Sequence, residues 1–349
     1  MRGVTQQRVG SGLRRGRCDD WVMSEAPRRM RWGEVPDHVQ AAVAELLGSP
    51  VVWARSQAGG FSPGSADRVM TADGERAFVK TAWSRLNRES TDIHRLEARK
   101  SERLPPGIPA PRFLGAVDHG DWVAVVFEDI EGQHPTTPWT DGELGAVLDA
   151  LAALAQPVLP DNAVIPPLAE ELAALFGGWG RIGDASRLPL EHDLGEWARE
   201  RLPEFVTASA LALADLRGDR LVHMDARADN ILIRPDGSVA LVDWPWAARG
   251  IGWFDALTLL VNVRLYDPQC DVEALIRGHR VFRDMPADAA TRVLTALAGF
   301  FLEGSMQPDE PGIPTLRRFQ RDQAIACLRW LRERASPRFG AGRGVAGTG

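Results

Sequence analysis

The period of the apolar residues changes near residue 130, and that switch constrains the fold more than any other property of the chain. Before it, "VVWARSQ" (51–57), "SADRVMT" (65–71) and "ERAFVKTAW" (75–83) are short runs of strand character. Asp73-Gly74 between the last two signals a hairpin, because both residues tolerate positive φ. Two more strands are expected in "PRFLGAVDHGDWVAVVFEDIEG" (111–132), around its "DHGD" turn. A helix is expected at "PDHVQAAVAELLG" (36–48), with Val39, Val43, Leu46 and Leu47 on one face and Gly48 as its stop. A second is expected at "TDIHRLEARKSERL" (91–104), with Ile93 and Leu96 facing inward.

After Glu131 the spacing becomes helical. Thr140 and Glu143 form a capping box ahead of "LGAVLDALAALA", and helical runs continue to about residue 335. One polar stretch interrupts them, "LVHMDARADNILIRPDGSVALVDWPWA" (221–247), which reads as two short strands turned by Asp236-Gly237. The expected architecture is α+β in two lobes. Residues 33–129 form a small lobe, an antiparallel sheet with one key helix, and residues 130–335 a larger, mainly helical one. Residues 1–32 and the tail 336–349 are Gly- and Arg-rich without any period, and are expected to be disordered.

A formal net charge of −6 over 349 residues leaves no basic footprint for nucleic acid, and no apolar run approaches the length of a bilayer span. Cys18, Cys270 and Cys327 are odd in number and lack Cys-x-x-Cys spacing, which speaks against a disulfide framework or a zinc site and for a reducing, cytoplasmic location. Of 41 Lys plus Arg residues, only Lys80 and Lys100 are lysines. A coding preference for arginine accounts for the imbalance, yet Lys80 closes an apolar strand run, where that preference explains less.

The polar stretch sets Asp225, Asn230 and Asp243 between apolar runs, where a folding chain avoids ionised groups. Phosphoryl transfer from a nucleotide accounts for such a set. It needs hard oxygen ligands for Mg²⁺, a cation on the phosphates, backbone amides over them, and a carboxylate where the acceptor hydroxyl arrives. Gly59, Gly60 and Gly64, with Phe61 and Ser62, make a turn whose backbone can approach phosphate, and Lys80 on the third strand can reach beneath it. Glu97 falls in the helix where a carboxylate would hold Lys80 extended, with Glu89 and Glu102 as rivals for that place. Each feature alone has a bland reading: the glycines as a hairpin turn, His-x-Asp as a capped turn, Asp229 as a solvated loop carboxylate, His223 as packing under the loop. The order and spacing of the whole set select the chemistry.

The runs "HMDARADN", "LVDWPWA" and "GIGWFD" resemble the aminoglycoside phosphotransferase family, small-molecule kinases with the two-lobed protein-kinase-like fold, over roughly residues 50–330. The resemblance implies ATP, with GTP as an alternative, and Mg²⁺ as cofactors, and a small hydroxylated molecule as acceptor. It implies Asp225 as the catalytic aspartate, Asn230 and Asp243 as metal ligands, and Lys80 with Glu97 on the α and β phosphates. Asp255 corresponds to a buried brace of the catalytic loop, and adenine is expected against the connector Glu128, Asp129 and Ile130. Arg227 stands two residues after Asp225, where protein kinases carry a lysine, and is expected to contact the γ-phosphoryl group. Departures are Met224, where these kinases often have glycine, Pro63-Gly64 in the glycine loop, and "DWPW" in place of Asp-Phe-Gly. No Ala-Pro-Glu follows, which favours a small acceptor over a protein.

Two other classes compete. One is a kinase-like module that binds nucleotide without chemistry. The other is a non-haem iron oxygenase built on His223, Asp225 and His279, which would need a β jelly roll, whereas His279 falls in a helical run.

Overall fold

A computed structural model describes residues 30–57, 64–160, 165–183, 188–310 and 313–336. Gly59, Gly60, Phe61 and Ser62 lie outside these residues, as do residues 1–29 and 337–349, on which the expectation of disorder rests.

Five strands, β1 (Val51–Ser56), β2 (Ser65–Thr71), β3 (Arg76–Trp83), β4 (Phe113–Asp118) and β5 (Trp122–Glu128), pair antiparallel in the order β1-β2-β3-β5-β4. Gly74 takes φ 86° in the β2–β3 turn, the dihedral that the Asp-Gly pair predicts. Strand β5 shows how the sheet serves two faces. Its Ala124 and Val126 join one apolar cluster and Val123, Val125 and Phe127 another, the two-residue alternation of a pleated strand. On the first face lies α1 (Asp37–Leu47), which buries Val39 and Val43 in the same cluster as Val117, Ala124 and Val126 and stops at Gly48, φ 78°. Met30 and Trp32 join the same cluster, so the small lobe takes in residues ahead of position 33.

The second face carries α2 (Arg88–Ser101), capped by Asn87, whose side chain accepts from Ser90 N. Its inward stripe corrects the sequence reading. Ile93 and Leu96 are only half-buried, and the buried positions are Ser90, Thr91, His94, Glu97, Lys100 and Ser101. Ala98 packs on the apolar cluster of the sheet, Glu97 faces Lys80 in the cleft and Lys100 turns to the large lobe, while Thr91 and His94 bond back to the backbone of their own helix. Lys100, 4% exposed, comes within 4.0 Å of Glu171 in the large lobe.

In the large lobe, β6 (Arg220–Val222) pairs with β9 (Ala248–Gly250), and β7 (Ile231–Ile233) with β8 (Val239–Leu241). The helices are α3 (Asp141–Leu154), α4 (Leu168–Ala173), α5 (Gly178–Ile182), α6 (His192–Glu200), α7 (Leu202–Asp215), α8 (Phe254–Tyr266), α9 (Val272–Gly278), α10 (Ala289–Ser305) and α11 (Leu316–Ala335). Thr140 caps α3 as expected, its hydroxyl accepting from Glu143 N. Helix α8 is buried on nearly every side and so shows no amphipathic stripe. The β7–β8 hairpin is tied to the small lobe, because Leu241 N donates to Pro109 O at 2.7 Å, and to the connector, because Gln133 and Ile233 exchange backbone hydrogen bonds. Among the described residues no helix is long and apolar enough to cross a membrane, and Cys270 and Cys327 are free thiols.

Candidate active site

Alternation along β3 turns Val79 into the sheet core and presents Lys80 to the cleft. Its ammonium donates to Glu97 Oε1 at 2.8 Å, lies 2.7 Å from Glu97 Oε2, and donates to Asp243 Oδ1 at 2.8 Å. Of the three candidate glutamates, Glu97 is the one that meets Lys80; Glu102 lies beside Arg103. Burial disfavours the Lys80 charge, but Asp243 and Glu97 outweigh it and push its pKa up to about 12. Asp243 shows the mirror image: enclosure raises it, and Lys80 pulls it down to about 2. Glu97, 1% exposed, stays above the usual carboxylate range because desolvation exceeds the help from Lys80. Trp244 N also donates to Glu97 Oε1, at 3.2 Å, joining α2 to the segment after Asp243.

The loop between β6 and β7 is held from below. Asp255, at the start of α8, accepts from His223 N at 2.7 Å and Met224 N at 2.8 Å, one carboxylate oxygen for each. His223 is fully buried, and desolvation keeps its ring below its usual pKa and neutral. Its Nδ1 accepts from Asp225 N and its Nε2 donates to Val242 O at 3.0 Å, which fixes the tautomer. Met224 and Asp243 both sit at φ 70°, the described non-glycine residues with positive φ, and each borders this site.

Asn230 donates from its amide nitrogen to Asp225 Oδ2 at 2.8 Å and to Asp225 O at 3.0 Å. Its carbonyl oxygen, the atom that ligates a hard cation, is not engaged by these bonds. Enclosure, with the charges of Asp229 and Asp243, pushes Asp225 up to about 6 against the opposing pull of Arg227. Arg227 Nε lies 3.4 Å from Asp225 Oδ1 and 3.0 Å from Asp229 Oδ1, so Asp229 belongs to the cluster rather than to solvent alone.

At the connector, the Asp129 side chain is buried between Arg68 at 3.2 Å and Arg76 at 2.6 Å, and Arg68 also donates to Ile130 O at 3.0 Å. With its carboxylate so engaged, Asp129 offers the cleft only its backbone. A cavity of about 430 Å³ runs between Glu128–Glu131 and the hairpin turn Arg234–Asp236. Gly64 immediately precedes β2, at a point where a Cβ would stand 1.7 Å from Thr81 O, so close packing alone requires glycine there. Among the described residues no group of three or more His, Cys, Asp or Glu is placed to hold a metal, and His279 meets Asp149 at 3.5 Å, which leaves the two-histidine iron reading without a triad.

Sequence reasoning missed three contributors. Arg68 carried no signal beyond a charged strand position. Asn262 on α8 accepts from Ala228 N at 3.2 Å, and Phe319 on α11 lies over the Arg227 guanidinium, 5.3 Å from the ring centre; both looked like ordinary helix residues.

Solved structures share this fold. A macrolide 2′-phosphotransferase from Brachybacterium faecium aligns at TM-score 0.52 and 16% identity, covering 84% of this chain and 98% of its own. An aminoglycoside phosphotransferase from Alicyclobacillus acidocaldarius gives 0.50 and 16%, covering 89% and 97%. A choline kinase from Streptococcus pneumoniae gives 0.50 and 15%, covering 83% and 97%. The two-lobed fold expected from the sequence is thus borne out. Among curated proteins no sequence match is found. Residues 60–292, about two thirds of the chain, match the phosphotransferase enzyme family. The chain belongs to the phosphotransferase enzyme family.

Proposed function

We propose that the chain transfers the γ-phosphoryl group of ATP to a hydroxyl of a small molecule, with residues 33–129 binding the nucleotide and residues 130–335 carrying catalysis and the acceptor. One observation carries the reading: Lys80 of the sheet, propped by Glu97, meets Asp243 at 2.8 Å, beside the loop where Asn230 holds Asp225. Neither lobe alone has a use for that arrangement. The oxygen donors suit Mg²⁺: Asn230 through its carbonyl and Asp243 through its carboxylate would hold it, and when bound it neutralises charge on the nucleotide phosphates. Lys80 grips the α and β phosphates, the backbone at Gly59 to Gly64 closes over them, and adenine rests against the connector from Glu128 to Ile130.

Asp225 accepts the proton of the acceptor hydroxyl. A pKa raised to about 6 makes it a stronger base than an ordinary aspartate while leaving it ionised at neutral pH. Arg227 contacts the transferring group and offsets its charge. Neighbours of this fold named for aminoglycosides, macrolides and choline support a small alcohol as acceptor. GTP is kept as an alternative donor.

The test is an ATP-consumption screen across aminoglycosides, macrolides, amino alcohols and sugars, with Asp225→Asn as the blank. Acceptor-dependent ADP release is expected from the parent chain, and a loss on the order of 10²–10⁴-fold from the variant, with MgATP binding retained. A variant that turns over like the parent refutes the role of Asp225; binding without turnover across the panel favours the silent module.

A further inference from the structure

We propose that Phe319 of α11 is a positioning residue for Arg227, holding its guanidinium at the angle from which it meets the transferring phosphoryl group. The proposal rests on the reading of Arg227 given above. The guanidinium carbon lies 5.3 Å from the Phe319 ring centre, within the range of a cation–π contact, while Nε lies 3.0 Å from Asp229 and 3.4 Å from Asp225. Both carboxylates meet the guanidinium along its edge, at Nε. An aromatic face bears on its plane instead, and does so without consuming an N–H donor, because the ring accepts no in-plane hydrogen bond. It also keeps water from one side of the cation, which strengthens the field that Arg227 exerts on nearby charge.

The loop backbone is held separately. Asn262 on α8 accepts from Ala228 N, next in sequence to Arg227, at 3.2 Å. One helix therefore secures the main chain and another the side chain. Phe319 lies beyond residues 60–292, the stretch that matches the family, so this second support comes from a part of the chain outside the family match.

The probe is MgADP with and without aluminium fluoride, which stands in for the transferring phosphoryl group, with both dissociation constants measured by calorimetry. The parent chain should bind MgADP, and fluoride should tighten the complex. In Phe319→Leu, MgADP binding should stay within about twofold while the fluoride tightening falls about three- to tenfold, the scale of a lost cation–π contact. Phe319→Tyr should restore the tightening, and in an Arg227→Ala background Phe319→Leu should cost nothing further. Phe319→Met serves if the leucine variant does not fold. Full tightening in Phe319→Leu, or equal loss of both affinities without rescue by tyrosine, overturns the proposal. A parent chain that binds MgADP but gains nothing from fluoride does the same. A parent chain that does not bind MgADP overturns the kinase reading itself.

Discussion

Replacing Lys80 with methionine removes the only cation among the described residues that touches Glu97, in a place where that carboxylate is 1% exposed. Breaking a buried pair by deleting one partner costs about 3–5 kcal/mol when the other charge stays. The lower end applies here, because Trp244 N still donates to Glu97 Oε1 and Asp243, at 40% exposure, can turn to solvent. Glu97 also has an escape: it can take up a proton. Burial already holds its pKa above the usual range with Lys80 present, and without Lys80 it rises further. A carboxyl that binds its proton more tightly in the folded than in the unfolded state favours folding at low pH, and that advantage is lost as pH rises. The penalty of the substitution therefore grows by about 1.4 kcal/mol per pH unit between the folded-state pKa of Glu97 in the parent and its higher folded-state pKa in the variant. Urea unfolding of the parent, Lys80→Met and Lys80→Met/Glu97→Gln at pH 5, 6.5 and 8 measures it. The single variant should approach the parent near pH 5 and fall about 3 kcal/mol below it at pH 8, and the double variant should recover most of that loss with little pH dependence. A penalty equal at all three pH values, or absent at pH 8, refutes the argument that Glu97 depends on Lys80 for its charge.

Turnover should drop about tenfold per pH unit below pH 6, as Asp225, pushed up to about 6, takes a proton and ceases to be a base; an acid limb flat to pH 4.5 rules this out. Asp243→Asn should weaken nucleotide binding by calorimetry in Mg²⁺ but not in EDTA, where release of Lys80 from Asp243 leaves its ammonium free for phosphate. Equal weakening in both buffers would remove Asp243 from the metal site. Gly64→Ala should destabilise the chain by about 1–3 kcal/mol, because its Cβ would meet the Thr81 carbonyl at 1.7 Å and the strands must part; an unchanged melting temperature defeats that reading.

The features legible in the sequence are those written in local spacing. Asp73-Gly74 and Asp236-Gly237 turn their hairpins, Gly48 stops α1, and Thr140 caps α3, each through contacts within a few residues. The meeting of Lys80 with Glu97 was legible for a related reason, a strand followed by a helix with one carboxylate at the right remove. The inward face of α2 was misread because apolar periodicity assumes an apolar neighbour, and here Glu97 faces an ammonium. Arg68 at the connector, Asn262 under the loop and Phe319 over Arg227 could not be read at all, since each acts on a residue far along the chain and bears no local mark.

Lys80 and Lys100 are the chain's only lysines, and both are largely enclosed, at 16% and 4% exposure. With its pKa near 12 Lys80 is a poor nucleophile, and Lys100, whose pKa burial lowers, is shielded by that same burial, so amine-directed acylating reagents should find almost no side-chain target while the lobes stay shut. Acylation followed by mass spectrometry would then time the parting of the lobes with hardly any background, a clock that a lysine-rich homologue would drown in surface signal.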